Sequence, residues 1–159
     1  MSTTTAVSRR CVALIAHDSK KEALVEFARR HLAELARCEV VATQATAMLL
    51  RLRLGLDAVP MRPGPDGGDL QIAAKLAAGE ISAVFFLRDV MVAQPHEADI
   101  LALLRICDVC DVPYATNVAT AWMLAQELFG RSESPEALRA SDEAGESREP
   151  SGGPLGFQA

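Results

Sequence analysis

The residues best suited to chemistry are two histidines and four aspartates spread along the chain. His17 and Asp18 directly follow the apolar run Cys11-Val12-Ala13-Leu14-Ile15-Ala16. Asp69 closes the loop Arg62-Pro63-Gly64-Pro65-Asp66-Gly67-Gly68-Asp69. Asp89 stands just beyond Ala83-Val84-Phe85-Phe86-Leu87, and Pro95-His96 is followed three residues on by Asp99. A carboxylate beside an imidazole is the usual equipment of general acid–base catalysis. Several carboxylates crowded on one edge cannot all ionise freely, so at least one should have a displaced pKa. The same carboxylates could instead hold a divalent cation. The histidine and the glycine loop favour proton transfer. Gly67-Gly68-Asp69 at a helix start is expected to leave backbone N–H groups free for an anion, with Ser19, Lys21, Thr43 and Thr46 adding hydroxyls and a charge. There is no Gly-x-x-x-x-Gly-Lys-Ser/Thr, so a nucleotide triphosphate is not indicated.

Such residues must be carried by a scaffold that brings them together, and the hydrophobic pattern supplies one. Short apolar runs at 11–16, 39–42, 58–61, 83–87 and 113–116 predict strands, the third an edge strand because of Pro60. Between and after them, helical spacing predicts helices at 20–37, 46–54, 70–78, 95–111 and 119–129. Strict alternation implies one α/β domain: a doubly wound, Rossmann-like sheet of about five parallel strands with helices on both faces. Ligands in such sheets bind beyond the carboxyl ends of the strands, where the candidate residues lie. Residues 1–10 read as a disordered leader, 11–130 as the domain, and 131–159 as a polar, disordered tail.

A formal net charge of -5, with no basic stripe, argues against nucleic acid as a partner. Arg51 and Arg53 read as the wet side of a helix. No apolar run is long enough to cross a bilayer, and no signal-peptide pattern opens the chain, so the expected location is the cytoplasm with reduced thiols. Cys107-x-x-Cys110 lacks the second pair or histidines of a zinc site and is expected to pack within a helix.

Taken in order, these motifs resemble the methylglyoxal synthases from about residue 12 to 128. The matching pieces are Ala13-Leu14-Ile15-Ala16-His17-Asp18, the Gly64–Asp69 loop, Phe85-Phe86 with Asp89, Pro95-His96 with Asp99, and Ala115-Thr116-Asn117-Val118-Ala119-Thr120-Ala121. The resemblance implies a cofactor-free lyase that eliminates phosphate from dihydroxyacetone phosphate through an enediol, leaving methylglyoxal and inorganic phosphate. It implies Asp69 as general base, His96 as the group polarising the carbonyl, and Asp99 and Asp89 as acidic partners. His17 and Asp18 would line the substrate pocket, and Lys21, Thr43, Thr46 and Gly64 would hold phosphate. A homohexamer is also implied. The chain departs from the family pattern at Ala45 and Pro63, each of which removes a hydroxyl expected on the phosphate, and Arg62 is the candidate replacement. The family's arginine-bearing closing segment is missing, with Arg131 and Arg139 as candidate substitutes. Related domains also serve as ligand-sensing regulatory units of carbamoyl phosphate synthetases. A sensor would not need Asp69, His96 and Asp99 together.

Overall fold

A computed structural model describes residues 9–130. The leader (except Arg9 and Arg10) and the tail, with Arg131 and Arg139, lie outside the described residues. Five parallel strands form one sheet: β1 (Cys11–Ala16), β2 (Glu39–Thr43), β3 (Val59–Met61), β4 (Ala83–Leu87) and β5 (Tyr114–Ala115), in the order β3-β2-β1-β4-β5. All six residues of β1 are buried because both faces are covered. Val12, Leu14 and Ala16 pack on one side, and Cys11, Ala13 and Ile15 on the other, as the two-residue period of a strand requires. On the first side lie α1 (Lys21–Arg30), α2 (Leu32–Leu35), α3 (Gln44–Leu54) and α6 (Val118–Phe129); on the second lie α4 (Gly68–Ala77) and α5 (Glu97–Val109). The sheet is doubly wound, as the pattern implied, and Pro60 sits in the edge strand.

The boundaries differ from expectation in instructive ways. The expected helix 20–37 is split at His31, whose φ of -112° leaves the helical range. The wholly buried His31 ring packs 4.9 Å from both Phe27 and Trp122, so tertiary aromatic packing overrides local helical periodicity here. The helix expected from Pro95 begins two residues later, at Glu97, which leaves His96 at the N-cap position. The helix expected from Leu70 begins at Gly68, so Asp69 falls in its first turn. Arg10, on the leader side of the expected boundary, accepts from Glu39 N through its carbonyl and donates to the Leu128 carbonyl through its guanidinium.

Gly67, at φ +95°, makes the turn into α4 that an L side chain would resist. Gly68 is required for a different reason. A Cβ there would lie 2.0 Å from the Arg62 carbonyl oxygen, a backbone atom with no room to yield. Gly68→Ala should therefore cost about 3 kcal/mol or more, at or above the upper end for overpacking. Thermal melts should show it as a fall in Tm on the order of 10 °C.

No described helix is long and apolar enough to cross a membrane. All four cysteines are free thiols. Cys107 is buried within α5, where burial pushes its thiol up to about 11, as befits a packing residue rather than a nucleophile.

Candidate active site

The parallel register aligns the carboxyl ends of β1 and β4, pairing Ala16 with Leu87. The chain winds from β1 toward β2 and β3, then returns to place β4 on the opposite side of β1. A crevice opens where the winding direction reverses. It has a volume of about 430 Å³, and its walls include His17, Lys21, Thr43, Gly64, Asp69 and His96. The strand-end rule thus points to this crevice.

At its centre, Asp69 is 1% exposed and His96 Nε2 lies 3.2 Å from its Oδ2. The contact is close enough for charge interaction but not aligned as a hydrogen bond, and both Asp69 oxygens lack a hydrogen-bond donor among the described residues. Burial pushes the Asp69 carboxyl above its ordinary value; His96 opposes the rise and Asp99 adds to it. The expected displaced pKa is therefore present, with desolvation outweighing the crowding of like charges that sequence spacing had suggested. Asp99, in the first turn of α5, is half-buried behind this pair and is not part of the crevice wall; its backbone N–H donates to the His96 carbonyl. A desolvated carboxylate facing a cavity, with an imidazole as its neighbour, is well suited to take a proton from a weak acid.

His17 is 9% exposed and sits edge-on to Phe86. Its Nδ1 accepts from the backbone N–H of Asp89 at 2.9 Å, so the neutral ring carries its proton on Nε2. Burial lowers the His17 pKa, which favours that neutral form. Nε2 is buried without a protein partner among the described residues, which leaves a donor for a guest oxygen. The Asp89 carboxylate is tied up by hydrogen bonds rather than left open. It accepts from Ser19 Oγ at 2.6 Å and from Met91 N at 2.9 Å, ties that hold it below its usual range. Sequence spacing gave no signal for this Ser19–Asp89 tie, because its partners are 70 residues apart.

The anion-holding end differs from expectation. The N–H groups of Asp66, Gly67 and Gly68 donate back to the carbonyls of Pro63, Gly64 and Pro63 respectively, so they are not presented to a ligand. The tight 3-10 turn Gly64–Asp66 consumes them. Thr43, Ala45, Pro63 and Gly64 line the crevice; Thr46 is buried behind it, 3.3 Å from the Thr43 hydroxyl. Arg62 does not line it, and its backbone N–H is bound by Gln71. The cation at this end is Lys21, held by the Ala16 carbonyl at 3.2 Å and by Asp18 at 2.5 Å. The exposed Asp18 carboxylate is held low by that lysine. Among the described residues, no group of three or more His, Cys, Asp or Glu side chains is placed to hold a metal ion.

The architecture and the crevice together define an open α/β protein with a buried carboxylate–imidazole pair at its topological switch point. Comparison with known proteins narrows that class. The MGS-like domain family matches residues 23–116. The chain is 57% identical over 117 residues to a methylglyoxal synthase from Cupriavidus taiwanensis, covering 74% of this chain and 88% of that one. It is 49% identical over 132 residues to a methylglyoxal synthase from Ralstonia nicotianae, covering 83% and 98%. A crystal structure of methylglyoxal synthase from Elizabethkingia anophelis superposes with a TM-score of 0.72 at 33% identity, covering 91% of this chain and 95% of that one. The chain belongs to the methylglyoxal synthase family, and it is a lyase.

Proposed function

We propose that the crevice converts dihydroxyacetone phosphate into methylglyoxal and inorganic phosphate. The observation that carries this is the buried Asp69 carboxylate, free of hydrogen-bond donors and 3.2 Å from His96 Nε2, inside a cavity that also holds Lys21. Asp69 takes the carbon-bound proton next to the ketone, and His96 polarises the carbonyl as the enediolate forms. The Nε2–H of His17 supplies a second, neutral donor to the developing oxyanion. Preorganised donors of this kind are typically worth about 3 kcal/mol each in transition-state stabilisation. Collapse of the enediolate breaks the carbon–oxygen bond to phosphate, and the released enol tautomerises to methylglyoxal.

Lys21, the Thr43 hydroxyl and the backbone at Gly64 hold the phosphate, while Thr46 orients Thr43 from behind. Ala45 and Pro63 leave this end with fewer hydrogen bonds, each worth about 1.5–3 kcal/mol to a charged group. Asp99 and Asp89 tune and position the pair without touching substrate. The catalytic unit is residues 11–130, working in the cytoplasm as a homo-oligomer, a hexamer by resemblance to the family, which light scattering would measure. Purified protein should release stoichiometric phosphate and methylglyoxal from dihydroxyacetone phosphate. Binding without turnover would instead make it a ligand-sensing module.

A further inference from the structure

Five crevice-lining residues, Asp89, Val92, Ala93, Gln94 and His96, lie on the segment between β4 and α5. That segment has no regular structure, yet it must present both His96 and the backbone N–H that fixes the His17 tautomer. Its first residue is joined to the residue just after it, the first of α5: Arg88 Nη2 donates to Glu97 Oε1 at 2.6 Å, with the Arg88 side chain only 18% exposed. Arg88 is also fastened through its backbone, donating to the Thr116 carbonyl at the end of β5. Glu97 directly follows His96 and opens α5. The ion pair therefore closes the segment into a ring whose ends adjoin Asp89, whose backbone N–H fixes His17, and His96 itself. It touches neither the crevice wall nor, in the proposed mechanism, the substrate.

We propose that Arg88 and Glu97 are positioning residues of the site: a clamp that sets His96 against Asp69 and keeps the charge around His17 balanced. The inference rests on the proposed lyase mechanism for its kinetic consequences, but not for its electrostatic ones. Besides the clamp, the groups facing His17 are Asp18, itself paired with Lys21, the Asp89 backbone N–H and carboxylate beyond β4, and His96 from the start of α5. Within that set Arg88 disfavours the imidazolium and Glu97 favours it. Paired, they offset one another. Removing one should shift His17 in one direction, and removing the other should shift it in the opposite direction.

The test uses Arg88→Met, Glu97→Gln, the double variant and Arg88→Lys in the full chain. Histidine carbon-bound proton resonances are followed by NMR titration, with His17 assigned by its loss in His17→Gln. The His17 midpoint should rise in Arg88→Met, fall in Glu97→Gln, and return toward wild type in the double variant. Steady-state kinetics should show kcat falling about tenfold in either single variant with KM little changed, since small misplacements of a catalytic group act on the chemical step. Arg88→Lys should recover most of that loss. Midpoints that move the same way in both single variants, or single variants with wild-type kcat, would overturn the clamp. If Arg88→Met does not fold, Glu97→Gln and Arg88→Lys decide by the same criteria. A wild-type protein without turnover would end the lyase proposal but leave the NMR result to judge the clamp.

Discussion

Asp69→Asn should lower kcat by about 10³-fold or more while leaving a folded protein that is at least as stable as the wild type. The catalytic half follows from the site: the amide is nearly the same size but cannot accept a proton, and a positioned base contributes about 10²–10⁴-fold. The stability half follows from burial. The folded state raises the Asp69 pKa, chiefly by desolvation, so folding favours the protonated acid. That favourable contribution is fully present below the carboxyl's unfolded value, about 4, and disappears as pH rises through the folded value. Wherever the folded carboxyl is ionised, as its role as a base requires, it is a buried charge whose oxygens lack hydrogen-bond donors among the described residues, and asparagine removes that charge. The variant's melting temperature should equal or exceed that of the wild type at pH 7, with the difference shrinking toward pH 4. Turnover assays and pH-dependent melts check both halves. Near-normal turnover would remove Asp69 from the role of base, and a large loss of stability at pH 7 would contradict the desolvation account.

The scaffold was legible because its signals are local. A strand buried on both faces needs a short unbroken apolar run, and β1 and β4 supply such runs with the charged residues immediately beyond them. Once alternation fixes a parallel sheet, the carboxyl-end rule gathers His17, Thr43, Gly64, Asp69, Asp89 and His96 onto one edge, and the crevice contains all six. What the pattern could not give depends on contacts across the fold. The split at His31 is set by packing against Trp122 and Phe129 of α6, about a hundred residues away. The loss of free N–H groups at Gly67 and Gly68 is set by a turn whose hydrogen bonds close on Pro63 and Gly64, which composition alone does not reveal. Placing Thr46 behind Thr43 required the start of α3, two residues earlier than periodicity indicated, because Gln44 and Ala45 carry no sequence signal against a helix. The Arg88–Glu97 pair was invisible for a similar reason: its nine-residue spacing matches no helical or strand period.

Gly64→Ala should reduce kcat by about tenfold with little change in melting temperature, a result that separates the geometry of the pair from the stability of the fold. A Cβ at Gly64 would stand 3.0 Å from His96 Nε2 and 3.2 Å from Asp69 Oδ2. One methyl group would thus press on both members of the pair, where the reacting atoms must fit. The backbone of Gly64 does not occupy the left-handed region, unlike Gly67, so alanine brings no conformational strain of its own. Relief must come from the side chains: His96 and Asp69 move by a fraction of an ångström. Stability tolerates such movement, whereas proton transfer needs near-attack geometry: a misplacement near 1 Å costs on the order of 10²-fold, and a few tenths of an ångström should cost about tenfold. Gly68→Ala, four residues on, should show the opposite profile, since its clash is with fixed backbone rather than with mobile catalytic groups. Paired kinetics and melts on the two alanine variants distinguish these behaviours. A Gly64→Ala enzyme with wild-type kcat would mean that the placement of Asp69 and His96 beside Gly64 does not limit the chemical step.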